Sequence, residues 1–181
     1  MRNLIVVAFV EPVTEGQVFP RTDWPLHITL LRFDIESPVG ADAPTGHSGD
    51  VAGLVAELAG PPATAALGAT LTVGQDAGFG RLGSVPVSLL EPSPQLEALH
   101  RELFRAAATV GGKVSTPDYV LDRYRPHISH HEGKRPQPGD DVVLDQIALV
   151  DMAPEGNHAF RRIVQLWTLA KQAGERTGRT P

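Results

Sequence analysis

The sequence predicts an α+β fold of largely antiparallel sheets, a compact two-lobed domain with pseudo-symmetric halves. Three observations carry this expectation. The predicted elements run strands, helix, strands, helix, strands, and two helices are too few to cover both faces of an all-parallel sheet. The helices divide the chain into halves of similar pattern. One tripeptide pattern, histidine then isoleucine then a hydroxyl residue, occurs in each half, as His27-Ile28-Thr29 and His127-Ile128-Ser129.

The chain has 181 residues, no cysteine, and 21 acidic against 16 basic residues, for a formal net charge of -5. A chain of this length buries a core without disulfides, and the missing cysteines exclude a thiol nucleophile, a thiolate metal site and a disulfide scaffold. The acidic balance argues against a surface that traps long nucleic-acid duplexes. A small phosphorylated ligand needs only local positive charge.

The run Leu4 to Val10, rich in β-branched residues and stopped by Glu11-Pro12, reads as a central buried strand. It is too short to span a bilayer and lacks a small-residue cleavage site, so a cytoplasmic protein without membrane association is expected. Leu26 to Phe33 is the next strand, after the turn-rich residues 19–23. A loop over Ser37 to Asp50 leads to a helix on Val51, Leu54, Val55 and Leu58, capped by Ser48 or Asp50 and ended by Gly60-Pro61-Pro62.

Strands are expected at Ala63 to Val73 and Val85 to Leu90, around a glycine-rich connection from Gly74 to Gly83. That connection has no lysine followed by a hydroxyl and is not a phosphate loop of the P-loop kind. Ser93-Pro94 starts a second helix, with Leu96, Leu99, Leu103, Phe104 and Ala107 as its core stripe and Gly111-Gly112 after it. Strands follow near Tyr124 to His130, at Val142 to Asp151 and at Ile163 to Ala170, with a polar stretch from Glu132 to Asp140. Residues 1–170 form the single domain, 171–181 a flexible tail, and nothing points to more than a monomer.

In a strand, alternate side chains share a face, so His27 and Thr29 point one way while Ile28 and Leu30 point the other. The same holds for His127 and Ser129. Two facing imidazoles suit a reaction in which one proton is removed and another delivered, because a pKa near 6.5 lets one ring be neutral and the other protonated. The hydroxyls of Thr29 and Ser129 can donate to a phosphoryl oxygen, and phosphodiester cleavage without a metal or cofactor fits this set.

The paired motifs, about one hundred residues apart within about 180, resemble the two-histidine (2H) phosphoesterase superfamily, which includes LigT-like RNA 2',5'-ligases and cyclic phosphodiesterases. The resemblance extends over nearly the whole chain through Trp24-Pro25-Leu26-His27-Ile28-Thr29-Leu30 and Tyr124-Arg125-Pro126-His127-Ile128-Ser129. It implies two antiparallel lobes around a central cleft, His27 and His127 as the acid/base pair, and Thr29 and Ser129 as phosphate ligands. The implied activity is cleavage of a 2',3'-cyclic phosphate or a 2',5' linkage of a nucleotide or short RNA. Alternatives are a nuclease that degrades cyclic oligonucleotide defence signals, and a non-catalytic nucleotide- or RNA-binding module.

Two positions depart from the family pattern. His130, followed by His131, stands where an aliphatic residue is usual, and Arg32 stands where an aromatic is common, with Phe33 one later. Tyr124, Arg125 and Arg32 are further candidates for substrate binding; Tyr124 and Trp24 stand close enough to the motifs to stack on a base, but aromatic residues beside strands usually pack in the core. His131 shares the parity of His127 but reads as a solvated turn residue before Glu132-Gly133. A metal site from His127, His130 and His131 lacks a familiar ligand spacing. His47, His100 and His158 read as surface residues.

Overall fold

The structure is a computed structural model that describes residues 1–36, 51–131 and 133–170. The expected loop over Ser37 to Asp50 with its cap residues Ser48 and Asp50, His47, Glu132 and the tail 171–181 lie outside the described residues. Nine strands and two α-helices are present among them: β1 Arg2–Phe9, β2 Val18–Pro20, β3 His27–Ile35, α1 Val51–Ala66, β4 Thr70–Phe79, β5 Val85–Leu90, α2 Pro94–Thr109, β6 His127–Ser129, β7 Asp141–Val143, β8 Gln146–Asp151 and β9 Phe160–Thr168. The strands form one curled antiparallel sheet in the order β2-β9-β8-β1-β3-β6-β5-β4-β7. The two lobes are the halves of this sheet, joined where β3 pairs with β6. No helix among the described residues is long and apolar enough to cross a membrane.

Each face of the sheet has its own apolar cluster. On one face Leu4, Val6, Ala8, Ile28, Leu30, Ile128 and Leu149 pack beneath the two helices, against Val55, Ala59, Leu96, Leu99 and Leu103. On the other Ile5, Val7, Phe9, Phe19, Trp24, Val150 and Ile163 form a smaller cluster. Strand β1 is therefore buried on both sides, which is why Leu4 to Phe9 reads as a continuous apolar run rather than an alternating one. The second face carries no helix and is called the open face below.

Helix α2 begins as expected. The Ser93 hydroxyl accepts a hydrogen bond from the Leu96 amide at 3.3 Å, Pro94 opens the first turn, and Leu96, Leu99, Leu103 and Ala107 are buried. His100 corrects the expectation of a surface residue. It lies on the same stripe, one position from Leu99, and is 1% exposed.

Helix α1 runs past its expected end, through Pro61 and Pro62 to Ala66. Residues Val51, Val55, Ala59 and Ala63 recur every fourth position and are all buried, so burial of this stripe continues where propensity favours a stop. Pro61 faces solvent, where water can meet the carbonyl that loses its amide partner. The strand expected from Ala63 consequently starts only at Thr70.

The glycine-rich connection is also corrected, since β4 continues through Gly74 and Gly78 to Phe79. These glycines serve close approach rather than an open turn. A Cβ on Gly78 would lie 2.8 Å from the Gly83 carbonyl oxygen, and the register with β5 shifts between Val73 and Asp76. The single run expected at Val142 to Asp151 divides into β7, beside β4, and β8, beside β1 and β9. Between them Leu144 bonds Ala69 and Gly68 while the Asp145 carbonyl accepts from Leu169, so the chain crosses there from one end of the curled sheet to the other.

Candidate active site

The site is centred on the junction of the two lobes. Ile28 and Ile128 are directly paired across β3 and β6, and both are fully buried on the helix side. Antiparallel register through this pair sets His27 beside Ser129 and Thr29 beside His127. All four side chains are half-buried and project from the opposite face, because alternate residues of a strand do so. Strand β1 confirms the face: Phe9 pairs with His27 and Val7 with Thr29, and Phe9 and Val7 belong to the open-face cluster.

The two imidazoles are held alike. The Nδ1 of His27 lies 2.8 Å from the Pro25 carbonyl, and the Nδ1 of His127 lies 2.8 Å from the Arg125 carbonyl. A carbonyl oxygen only accepts, so Nδ1 carries the proton in each ring, and Nε2 is the nitrogen left to take or give one. Each ring also rests on an aromatic neighbour. Trp24 lies 4.4 Å from His27 between centroids, at 34°, and Phe79 lies 4.4 Å from His127, at 52°.

Both rings are kept neutral by their surroundings. Burial lowers the pKa of His27 to about 4, against the raising effect of the Pro25 hydrogen bond, and the charges of His131 and His127 lower it further. Burial also lowers the pKa of His127, against its Arg125 hydrogen bond, with the Arg125 charge acting in the same direction as burial. Neutral rings with free Nε2 atoms are ready to accept a proton. An anion bound between them favours the protonated form of one, which turns it into a donor.

The other candidates divide between the faces. Arg32 pairs with Ile5, which places it on the open face. Strict alternation from His27 would put it on the core face, but a bulge at Leu30, between the pairs Val6–Leu31 and Val7–Thr29, turns both Leu30 and Leu31 inward and Arg32 outward. Its Nε donates to the Asn3 side-chain oxygen at 3.1 Å. Arg125 is exposed and lies over the Phe79 ring at 4.9 Å, beside His127.

Tyr124 takes up partners on the helix side. Its ring stacks on His100 at 4.0 Å and 2°, and its hydroxyl donates to the Thr29 carbonyl at 3.0 Å. Its contacts thus support β3 from behind. Phe33 is 1% exposed in the helix-side core, so it offers no face for stacking a base. Trp24, buried, serves as the floor beneath His27.

His130 and His131 separate. His130 has the parity of Ile128, and its Nε2 lies 2.8 Å from the hydroxyl of fully buried Ser88, which also donates to Asp76 at 3.0 Å. The aliphatic slot of the family is thus filled by a hydrogen-bonded polar cluster, and His127, His130 and His131 do not face one another as metal ligands. His131 has the parity of His127, and its charge acts on His27.

Two features were not legible from the motifs: the aromatic floor at Phe79, and the tie of Glu11 to the site. The Glu11 carboxylate accepts from the Leu26 amide at 2.6 Å and from Lys134 at 2.9 Å. A cavity of about 440 Å³ lined by Phe104, Gly112, Val114 and Leu121 lies at the end of α2 and includes none of the four motif residues.

The comparisons with known proteins agree with this fold. A solved structure of E. coli LigT complexed with NADP+ is similar with a TM-score of 0.55 at 17% identity, over 94% of this chain and 98% of that one. A structure described as a phosphoesterase is similar with a TM-score of 0.52 at 17% identity, over 94% and 99%. E. coli LigT complexed with ATP gives 0.50 at 17%, over 94% and 98%. At such identities the likeness is one of fold. No match to the sequence was found among curated proteins. The model of the 2'-5' RNA ligase superfamily matches residues 7–169, and with the two His-Ile-hydroxyl strands meeting at one junction, the chain belongs to that superfamily.

Proposed function

We propose that the protein is a two-histidine phosphodiesterase that cleaves a 2',3'-cyclic phosphate or a 2',5' linkage of a nucleotide or short RNA without a metal. The observation that carries this reading is the pairing of Ile28 with Ile128, which sets an imidazole and a hydroxyl from each lobe on one face with both Nδ1 atoms tied. One neutral Nε2 takes the proton of the attacking water as its oxygen bonds phosphorus. The other, protonated, gives its proton to the ribose oxygen as the phosphorus–oxygen bond breaks. The Thr29 and Ser129 hydroxyls donate to the phosphoryl oxygens on which charge gathers. The nucleotides bound by E. coli LigT support a nucleotide substrate here.

Cyclic oligonucleotides are the rival substrates, and the same four residues would act on them. His130, a departure from the family pattern, has its partner on the face away from the site and so gives no support to a pure binding module. The test is hydrolysis, in EDTA, of 2',3'-cyclic nucleotides, 2',5'-linked dinucleotides and cyclic oligonucleotides by wild type, His27→Ala and His127→Ala. Removal of either acid/base group should cost about 100-fold or more in kcat. Turnover that EDTA abolishes, or that survives both substitutions, overturns the mechanism.

A further inference from the structure

The two imidazoles of the site rest on unlike floors. Beneath His27 lies Trp24, which packs edge to face on Phe19 at 5.0 Å, and Trp24, Phe19 and Phe9 are all buried. That stack ends in the core and offers no aromatic face to a ligand. Beneath His127 lies Phe79, and its surroundings open outward. Tyr119 lies 6.4 Å from Phe79 between centroids, at 40°, and the Arg125 guanidinium lies over the Phe79 ring at 4.9 Å. Tyr119 is 49% exposed, and Arg125 is exposed as well.

Three separate segments build this cluster. Phe79 ends β4 and faces the open side because it shares the parity of Ala77, which pairs with Val87, itself paired with Ser129. Tyr119 closes a short 3-10 turn, Pro117–Tyr119, between α2 and β6. Arg125 is the residue whose carbonyl holds the Nδ1 of His127, so one backbone position sets both the guanidinium and the imidazole. A single exposed aromatic residue needs no explanation. Here an exposed ring and an exposed guanidinium meet on the ring that supports His127.

Aromatic rings and guanidinium planes are the surfaces on which unstacked nucleobases settle. A base is joined to its phosphate through one ribose, so a base bound at this cluster keeps the phosphate beside His127. We infer that the nucleobase of the substrate lies on the His127 side of the site and stacks on Tyr119, beside the Arg125 guanidinium. The inference rests on the phosphodiesterase reading above and gives its substrate an orientation. Stacking uses a face that every base has, so this contact selects a base over none rather than one base over another.

The experiment has a kinetic arm and a binding arm. The kinetic arm compares a nucleotide substrate that the wild type turns over with its analogue carrying a methoxy group in place of the base. Tyr119→Ala should raise KM about tenfold for the nucleotide, with kcat within about threefold, and leave the KM of the analogue within about threefold of wild type. Tyr119→Phe, which keeps the ring, should match wild type on both. An unchanged nucleotide KM in Tyr119→Ala, or an equal rise for the analogue, overturns the inference and leaves the phosphodiesterase standing. In the binding arm, a nucleoside 2'-monophosphate and inorganic phosphate are titrated separately into the full chain with ¹³C-labelled tyrosine, in which Tyr119→Phe assigns the Tyr119 signals. The Tyr119 ring resonances should shift with the nucleotide and stay in place with phosphate. If the wild type turns over nothing, the phosphodiesterase reading falls and this titration decides the base site: that pattern supports it, and resonances unmoved by the nucleotide, or moved alike by phosphate, overturn it.

Discussion

Ile28 and Ile128 meet as a directly opposed pair at the junction of the lobes, both with no exposed surface. Each is the middle residue of a His-Ile-hydroxyl motif, so one buried contact sets the positions of two imidazoles and two hydroxyls. The apolar residue is the fixed point and the polar ones on either side inherit their geometry from it. Ile128→Val should cost about 1 kcal/mol, and Ile128→Ala about 2–5 kcal/mol. Urea unfolding followed alongside kcat is the check, with the Val variant close to wild type in rate and the Ala variant losing rate as well. Wild-type stability in the Ala variant would contradict the role of this pair.

The depressed pKa of His27 makes stability depend on pH. The unfolded chain binds a proton at this ring below about 6.5, whereas the folded chain does so only near 4, so stability rises with pH between those values. The contribution is complete above pH 6.5 and is lost as pH falls through the folded value. A loss on the order of 2 kcal/mol is expected from this ring between pH 7 and pH 4. His27→Gln should lack that part of the slope in paired urea titrations. Parallel slopes for wild type and variant would refute the assignment.

Tyr124 supports Thr29 through the 3.0 Å bond to its carbonyl and stacks on His100. His100 in turn lies 2.6 Å from the Leu30 carbonyl and accepts from the Leu121 amide at 2.8 Å. Tyr124→Phe keeps the ring and removes one buried hydrogen bond, leaving the carbonyl short of a partner. A stability loss of about 1 kcal/mol is expected with KM unchanged. A change in KM without any loss of stability would instead place the hydroxyl on the substrate.

Gly78→Ala tests the close approach within the β4–β5 hairpin. The new Cβ would meet the Gly83 carbonyl oxygen at 2.8 Å and its Cα at 3.0 Å, both backbone atoms that shift only with the hairpin. The neighbouring Phe79 is the floor of His127. A loss of about 1–3 kcal/mol is expected, together with a lower kcat, read from urea midpoints and initial rates. A variant as stable and active as wild type would mean that the hairpin relaxes freely.

Elements whose pattern is local were legible in the sequence. Helix α2 carries its start in Ser93-Pro94 and its buried face in the spacing of Leu96, Leu99 and Leu103. The ends of α1 and β4 were not, because Pro61, Pro62 and Gly74 signal breaks in any chain, whereas burial of Ala59 and Ala63 and pairing with β5 are decided by distant residues.

By itself the sequence determined the α+β class, the two His-Ile-hydroxyl strands and the face each motif residue takes relative to its isoleucine. All of these follow from periods of two or of three to four residues, which the chain carries locally. The tertiary structure alone decided which faces come together. It placed Ile28 on Ile128, turned Arg32 to the open face through a bulge at Leu30, and sent Tyr124 and His130 to the other side. Register between strands one hundred residues apart, and the single extra residue that reverses a strand's alternation, depend on partners that local periodicity does not contain.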